Sequence, residues 1–222
     1  MDSNNITSSQ NCPLCLGPGR YFHSDEARGW RYRICDKCDL IWLDPKDRLR
    51  LKAEHAHYEQ HNNKPEDPNY RAFLGRLWEP LKHRLVPGAR GLDYGSGPGP
   101  TLHLMAQESG FGCEHYDPFF HRDDSVFEQR YDFITCSEAA EHFYHPNQEF
   151  KKLANLLKPD GWLGVMTSRY HTGLDFDTWH YRNDSTHVAF YSDRSFKFIA
   201  RQYGFDDPDF LSESVVVLRK RS

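Results

Sequence analysis

Three alternate glycines, Gly95, Gly97 and Gly99, lie in the run Gly91-Leu92-Asp93-Tyr94-Gly95-Ser96-Gly97-Pro98-Gly99-Pro100, directly after a short apolar stretch. Without Cβ atoms the main chain there can touch a ligand, and positive φ is open to it where a strand swings into a helix. Such a turn accommodates a nucleotide-like cofactor. About 20 residues further on, Cys113-Glu114-His115-Tyr116-Asp117 reads as a second strand ending in a carboxylate. Asp117 is placed there to bind both hydroxyls of a ribose. Pro100 breaks the Gly-x-Gly-x-x-Gly spacing expected of a dinucleotide dehydrogenase.

A second chemistry is written near the start. Cys12-Pro13-Leu14-Cys15 and Cys35-Asp36-Lys37-Cys38 are two Cys-x-x-Cys knuckles with nineteen residues between them. Four thiolates so spaced satisfy tetrahedral Zn²⁺ in a zinc ribbon. Disulfides are the rival chemistry. No signal peptide or transmembrane run precedes the cysteines, so a cytoplasmic, reducing setting and a metal are expected. A closed site of Cys12, Cys15, Cys35 and Cys38 leaves no position for water, which makes the zinc structural. Cys113 and Cys136 fall on expected strands and read as buried core thiols.

These residues need a frame. Leu92–Tyr94 reads as a strand end, and Thr101-Leu102-His103-Leu104-Met105-Ala106 as the first turns of an amphipathic helix. Tyr131-Asp132-Phe133-Ile134-Thr135 reads as a further strand. An amphipathic helix from Phe150 closes at Lys158-Pro159-Asp160-Gly161 into the next strand, and another helix spans Ser195 to Tyr203. Arg219-Lys220-Arg221 is the charged end of the last strand. Alternating strands and helices predict an open α/β sheet with its site at the carboxyl ends of the strands. Its 222 residues, 38% hydrophobic and 14% aromatic, suffice for one domain of about 150 residues plus a small module. The expected division is a zinc ribbon over 1–45, connecting helices over 46–88 and the α/β domain over 89–222, the ribbon and the α/β domain having separate cores. Asn62-Asn63-Lys64-Pro65-Glu66-Asp67-Pro68 separates two connecting helices, the second from about Asn69 to Leu85. Tyr58, Tyr70, Phe73 and Trp78 are aromatics at helical spacing, ordinarily core, or else the roof of a pocket.

From residue 70 to 222 the chain resembles the class I S-adenosylmethionine-dependent methyltransferases. Asp93-Tyr94-Gly95-Ser96-Gly97-Pro98-Gly99 matches their acidic-then-Gly-x-Gly-x-Gly motif. Cys136-Ser137-Glu138-Ala139-Ala140-Glu141-His142-Phe143 is similar to the Glu-x-x-Glu-His that follows their fourth strand, and the Lys-Pro-Asp-Gly turn is characteristic of them. The segment Cys35–Pro45 resembles a ribbon found ahead of some bacterial methyltransferases of small molecules and sugars. The resemblance implies a Rossmann-like sheet with helices on both faces. It implies that Asp93, Gly95, Gly97 and Gly99 hold the methionine end of S-adenosylmethionine, and Asp117 the ribose. One departure stands out: only fourteen residues separate Asp117 from Asp132, too few for a helix and a full third strand. The third strand is therefore expected to be reduced or missing, leaving the adenine to Asp123 or Asp124 and a stacking face on Phe119 or Phe120, or leaving a solvated acidic loop.

Methyl transfer asks little of a protein beyond placing the acceptor and removing its proton. Histidines cluster in two expected loops, His142 and His145, then His171, His180 and His187. The stretch Trp179 to Ser192 is polar and aromatic, more than packing would require. Its His187-Val188-Ala189-Phe190-Tyr191-Ser192 resembles the His-x-x-x-Phe/Tyr-Ser segment of small-molecule and sugar methyltransferases, where the histidine lies near the acceptor. This implies His187 as base, with Glu138, Glu141 and His142 as further site residues. His142 reads equally as the organiser of its loop. The histidines have no regular metal-ligand spacing, so no shared metal is expected.

Net charge is −4, which argues against duplex nucleic acid as a partner. Arg28, Arg31 and Arg33 beside Trp30 and Tyr32 suit RNA or, more simply, a solvated hairpin. The expected function is methylation of a small quinol-, sugar- or metabolite-like molecule, with no membrane contact. The rivals are an RNA methyltransferase that grips RNA with its ribbon and a non-catalytic module that keeps the cofactor fold.

Overall fold

The computed structural model describes residues 11–58 and 64–222, without the side chains of residues 51, 52, 55 and 56. The Asn62-Asn63 start of the expected break, and residues 1–10 of the ribbon segment, lie outside the described residues. Two sheets organise the chain. The first is built by β1 (Gly19–Asp25), β2 (Trp30–Cys35), β3 (Ile41–Leu43) and β8 (Ala189–Phe190), all antiparallel in that order. The second has the order β5-β4-β6-β7-β10-β9. Its parallel part is β4 (Arg90–Tyr94), β5 (Gly112–Tyr116), β6 (Tyr131–Ser137) and β7 (Leu157–Met166). β10 (Val215–Arg219) and β9 (Asp209–Phe210) close it antiparallel.

Period-two alternation along these strands feeds both faces. Phe133, Met166, Val215 and Val217 face α2 (Pro68–Lys82) and α3 (Thr101–Glu108), against Leu74, Leu77, Leu102 and Met105. Ile134, Cys136, Val165, Val216 and Leu218 face α4 (Pro146–Leu156) and α5 (Asp193–Tyr203), against Phe150, Leu153, Phe196 and Ile199. Ser192 caps α5 through a reciprocal bond with Ser195, and Gly204 in the left-handed region ends it. α1 (Leu51–Tyr58) precedes α2 in the chain. Between β5 and β6 there is only a short 3₁₀ turn, Asp124–Glu128, so the third strand of the expected fold is missing. The Lys-Pro-Asp-Gly segment lies within β7 as a bulge, with Asp160 at φ 64 and a register slip between Tyr131 and Phe133.

The expectation of separate cores does not hold. Leu40-Ile41-Trp42-Leu43 is apolar on both faces of its strand and wholly buried. Leu40 and Trp42, with Cys12, Cys35 and Cys38, join the core of α4 and α5. Ile41 and Leu43 join a third cluster with Tyr32, Phe176, Trp179, Tyr181 and Phe190. A segment this small cannot bury two apolar faces by itself, so it borrows cover from the larger sheet. Ser195 donates to the Cys38 carbonyl at 2.8 Å, and Asn147 N to the Pro13 carbonyl at 3.2 Å, which fixes the docking.

Much of the polar insertion is therefore packing. Arg182, 4% exposed, pairs with Asp25 of β1 at 2.7 Å and also bonds Asp177. The Arg182 and Arg28 guanidiniums hold the Asp25 carboxyl well below the usual carboxylate range. Arg182→Met is expected to destabilise the protein by about 1–3 kcal/mol, because it removes the buried partner of a buried carboxylate and leaves Asp25 to Arg28 alone. A denaturant midpoint equal to that of the parent would show the pair to carry no weight.

Candidate active site

The carboxyl ends of β4, β5 and β6 open into one cavity of about 720 Å³. The glycine loop, Gly95 to Pro98, forms part of its lining. Gly95 N and Ser96 N donate to the Tyr116 carbonyl at 2.8 and 3.1 Å, which ties the loop to the end of β5. Gly95 (φ +78) meets Ala139, whose Cβ would stand 2.5 Å from an added Cβ. Gly97 (φ +65) has open space on that side, a cradle that any side chain would fill. Asp117 accepts from Gly97 N at 2.9 Å, Phe119 N at 2.9 Å and Phe120 N at 3.1 Å. Three of its roughly four acceptor positions thus organise the loop, and one remains for a ligand hydroxyl. Ser96 Oγ and Ser137 Oγ, on the cavity wall, are buried without a hydrogen-bond partner among the described residues. This polar, Cβ-free floor fits the adenosyl and amino-acid parts of S-adenosylmethionine.

Not every expected residue reaches the cavity. Asp93 and Gly99 are not in its lining. Asp93 lies beneath the loop, 3% exposed, and accepts from the Thr135 hydroxyl at 2.8 Å. Burial lifts its carboxyl to about 6. Phe119 and Phe120 line the wall, whereas Asp123 and Asp124 are exposed outside it, Asp123 capping Ser125. Of the four connecting-segment aromatics, Tyr58, Tyr70 and Phe73 line the cavity, and Trp78 is 1% exposed in the core.

Glu138, Glu141, His142 and His187 line the same cavity, and one ligand atom from each of Glu141, His142 and His187 lies within 4.8 Å of the other two. Glu138 holds φ 47, rare for a side-chain-bearing residue, where β6 breaks into the Ala140–His142 turn. Burial first, and then the Glu141 carboxylate, push Glu138 up to about 9. His142 Nδ1 lies 3.0 Å from the Thr186 carbonyl, and His187 Nδ1 lies 2.7 Å from that of Tyr181. The two rings meet at 4.9 Å. Burial lowers the His187 pKa, so its imidazole is neutral near pH 7. The ribbon sheet helps to place it: β8 begins two residues later and pairs with β3, while Val188 N bonds the Glu141 carbonyl at 2.9 Å.

Sequence reasoning missed two groups here. Tyr94, Glu149 and Lys152 form a polar cluster on the wall: Tyr94 donates to Glu149, and Lys152 bonds both at 3.1 and 3.2 Å. Tyr94 inside the motif and the i,i+3 spacing of Glu149 and Lys152 were the available signals. Glu54 of α1 also reaches in, 5% exposed and held by the Tyr58 and Tyr144 hydroxyls at 3.0 Å each. No local pattern announces that contact.

The four ribbon cysteines are free thiols, one Sγ from each lying within 4.8 Å of the others. Cys12 and Cys38 stand 3.5 Å apart, and Cys15 and Cys35 3.3 Å. Zinc bonds of 2.3 Å imply tetrahedral edges of about 3.8 Å, close to these separations. Cys15 N and Lys37 N approach the Cys12 and Cys35 sulfurs at 3.5 and 3.4 Å, as donors to thiolates do. The group fits a zinc ribbon. No helix among the described residues is long and apolar enough to cross a membrane.

Known proteins place this arrangement. The family model described as "Methyltransferase domain" matches residues 69–207, more than half of the 222. A ubiquinone biosynthesis O-methyltransferase of Salmonella paratyphi A is 37% identical over 71 residues, 32% of this chain and 29% of that protein. Its namesake in Serratia proteamaculans is 33% identical over 82 residues, 37% of this chain and 34% of that one. The matched segments thus span about a third of those curated relatives. Among solved structures, a methyltransferase of calicheamicin biosynthesis with bound S-adenosylhomocysteine superposes with TM-score 0.51 at 10% identity, over 68% of this chain and 54% of that one. An O-methyltransferase family protein of Burkholderia thailandensis gives 0.51 at 14% identity, over 78% and 69%. These two likenesses are of fold. With the family model matched over more than half of its length, the chain belongs to the methyltransferase domain family, and its sheet order and glycine-floored cavity are those of an open α/β methyltransferase fold.

Proposed function

We propose that the protein moves the methyl group of S-adenosylmethionine onto a hydroxyl of a small quinol-, sugar- or metabolite-like molecule. The observation that carries this reading is that one cavity is lined both by the Gly97 cradle with Asp117 and by His142, His187, Glu138 and Glu141. Its volume of about 720 Å³ admits a cofactor together with a compact acceptor, and Tyr58, Tyr70, Phe73 and Phe119 supply a planar, apolar wall. The relatives named O-methyltransferases support oxygen as the acceptor atom. The cofactor brings the activated methyl group; the chain's own residues shield and align the acceptor and handle its proton. His187, neutral and with Nε2 turned from its carbonyl partner, is the group for that last task. The ribbon arginines support a small molecule over RNA. Arg28, Arg31 and Arg33 pair with Asp25, Asp47 and Asp44 at 2.6, 2.6 and 3.3 Å, which leaves them little net charge for phosphates. Incubating the protein with methyl-labelled cofactor and a metabolite extract, then identifying the product by mass spectrometry, tests the reading. Label found only in RNA would overturn it.

The same reading gives Cys12, Cys15, Cys35 and Cys38 one structural zinc per chain, to be counted by elemental analysis, and a cytoplasmic setting. Six cysteines without a disulfide support that compartment. For the cofactor, calorimetry is expected to show binding of both S-adenosylmethionine and S-adenosylhomocysteine. Gly97→Val fills the cradle, and Asp117→Ala removes the ribose acceptor and three loop bonds. Each is expected to weaken binding by about 1–3 kcal/mol. No binding by the parent protein would end the assignment.

A further inference from the structure

Glu141 is chemically unfinished. Its side chain is 0% exposed, yet neither carboxylate oxygen has a hydrogen-bond partner among the described residues. Burying a carboxylate without a counter-charge or donors is costly, and folded proteins seldom leave it so. The other buried glutamate of the same cavity shows the ordinary remedy, since Glu54 receives two tyrosine hydroxyls. The hydroxyl beside Glu141 is that of Tyr181, which lies 3.2 Å from the Thr167 hydroxyl with either able to donate, so it offers the two carboxylate oxygens a single proton at most.

What faces Glu141 instead is a pair of prepared imidazoles. His142 and His187 each turn Nδ1 to a backbone carbonyl, of Thr186 and Tyr181. A carbonyl only accepts, so each Nδ1 carries a proton, which makes Nε2 the nitrogen with the lone pair in the neutral ring. A histidine anchored in this way through one nitrogen is the usual form of a metal ligand at the other. One ligand atom from each of Glu141, His142 and His187 lies within 4.8 Å of the other two. Metal bonds of about 2.0–2.2 Å place ligand atoms roughly 3–3.5 Å apart, which small side-chain rotations reach. Spacing along the chain hides the group, because His187 comes from a loop far beyond the Glu141-His142 turn.

We propose that Glu141, His142 and His187 bind a divalent first-row transition-metal ion in the cavity, and that the acceptor's hydroxyl oxygen ligates it. This rests on the small-molecule methyltransferase reading above. One carboxylate and two imidazoles suit such an ion better than magnesium, and they leave coordination positions open for the acceptor and water. The ion acts as a Lewis acid. The acceptor hydroxyl, once ligated, gives its proton to water. Its oxygen then attacks the cofactor's methyl carbon: the O–C bond forms, the C–S bond breaks, and the bonding pair stays on sulfur to leave S-adenosylhomocysteine. His187 then orients the acceptor through the ion rather than taking its proton directly.

Cobalt(II) is the probe. Zinc-replete protein saturated with S-adenosylhomocysteine is titrated with Co²⁺ in a calorimeter and a spectrophotometer. The expected result is one further ion per chain, with visible absorption that lacks thiolate-to-metal charge transfer, so that the four-cysteine group is not the site. Glu141→Gln and His142→Ala should each weaken Co²⁺ binding by more than about tenfold, since even loss of an outer partner costs about 10–100-fold. Zinc content and S-adenosylhomocysteine affinity should be unchanged in both. In metal-free buffer Glu141→Gln should melt at a higher temperature than the parent, because it removes an unpaired buried charge, and Co²⁺ should raise the melting temperature of the parent alone. No second ion, a second ion bound with thiolate charge transfer, or binding that both variants leave intact would overturn the inference. Each of these results, with cofactor binding preserved, leaves the methyltransferase reading standing. Failure of the parent to bind S-adenosylhomocysteine overturns that reading, whatever Co²⁺ does.

Discussion

Removing the zinc proposed for the four-cysteine group, by a chelator or by Cys38→Ser, is expected to unfold far more than the ribbon hairpin. The free energy of structural zinc in small domains is about 10–16 kcal/mol near pH 7. A whole domain is stable by only about 5–15 kcal/mol. Loss of the ion is therefore comparable to the entire stability of the chain. The damage should spread because Cys12, Cys35, Cys38, Leu40 and Trp42 pack in one core with Phe150, Phe196 and Ile199. Ser195, near the start of α5, is anchored on the Cys38 carbonyl. Hydrogen exchange should show α5 and β8 losing protection together with β1 and β2, and S-adenosylhomocysteine affinity should fall in parallel. Exchange confined to β1, β2 and β3, with α5 protected and affinity intact, would show that the two sheets hold together independently.

The parallel sheet was legible from local patterns. Leu92–Tyr94, Tyr131–Ser137 and the helix around Leu153 carry their own periodicity, and the fourteen-residue gap after Asp117 announced the lost strand through chain length alone. The ribbon's docking was harder to see. Its sign was present in Leu40-Ile41-Trp42-Leu43, which lacks the alternation of a strand with one wet face. Read that way, the segment demands cover on both sides, and the only cover available lies in the α/β domain. The Trp179–Ser192 stretch shows the opposite error. Its polar residues suggested a site, but Arg182 and Asp184 spend their hydrogen bonds on Asp25, Asp177 and Thr186, and only His180, Tyr181, Asp184 and His187 reach the cavity. Asp93 and Gly99 were placed by motif position, which identifies a loop without saying which atoms of it face inward. The nearness of Glu141 to His187 depends on β8 joining the ribbon sheet, a long-range pairing with no local trace.

Replacing His187 is expected to separate turnover from folding. His187→Ala should lower kcat by about 10²–10⁴, the range for loss of a positioned acid–base group. S-adenosylhomocysteine affinity should be unchanged, because the groups proposed to hold the cofactor, Gly95, Ser96, Gly97 and Asp117, sit on the loops that follow β4 and β5, whereas His187 sits on the segment before β8. The ring is 8% exposed and packs against Tyr181 at 4.3 Å, so the alanine variant also leaves a small void. His187→Gln controls for this, because it keeps much of the volume and a donor toward the Tyr181 carbonyl while removing the imidazole lone pair. If His187 orients or deprotonates the acceptor, both variants lose the same rate and the glutamine variant keeps the parent's melting temperature. A glutamine variant that recovers the parent's rate would make His187 a packing residue. The chemistry would then fall to His142, with Glu138 and Glu141, which line the same cavity.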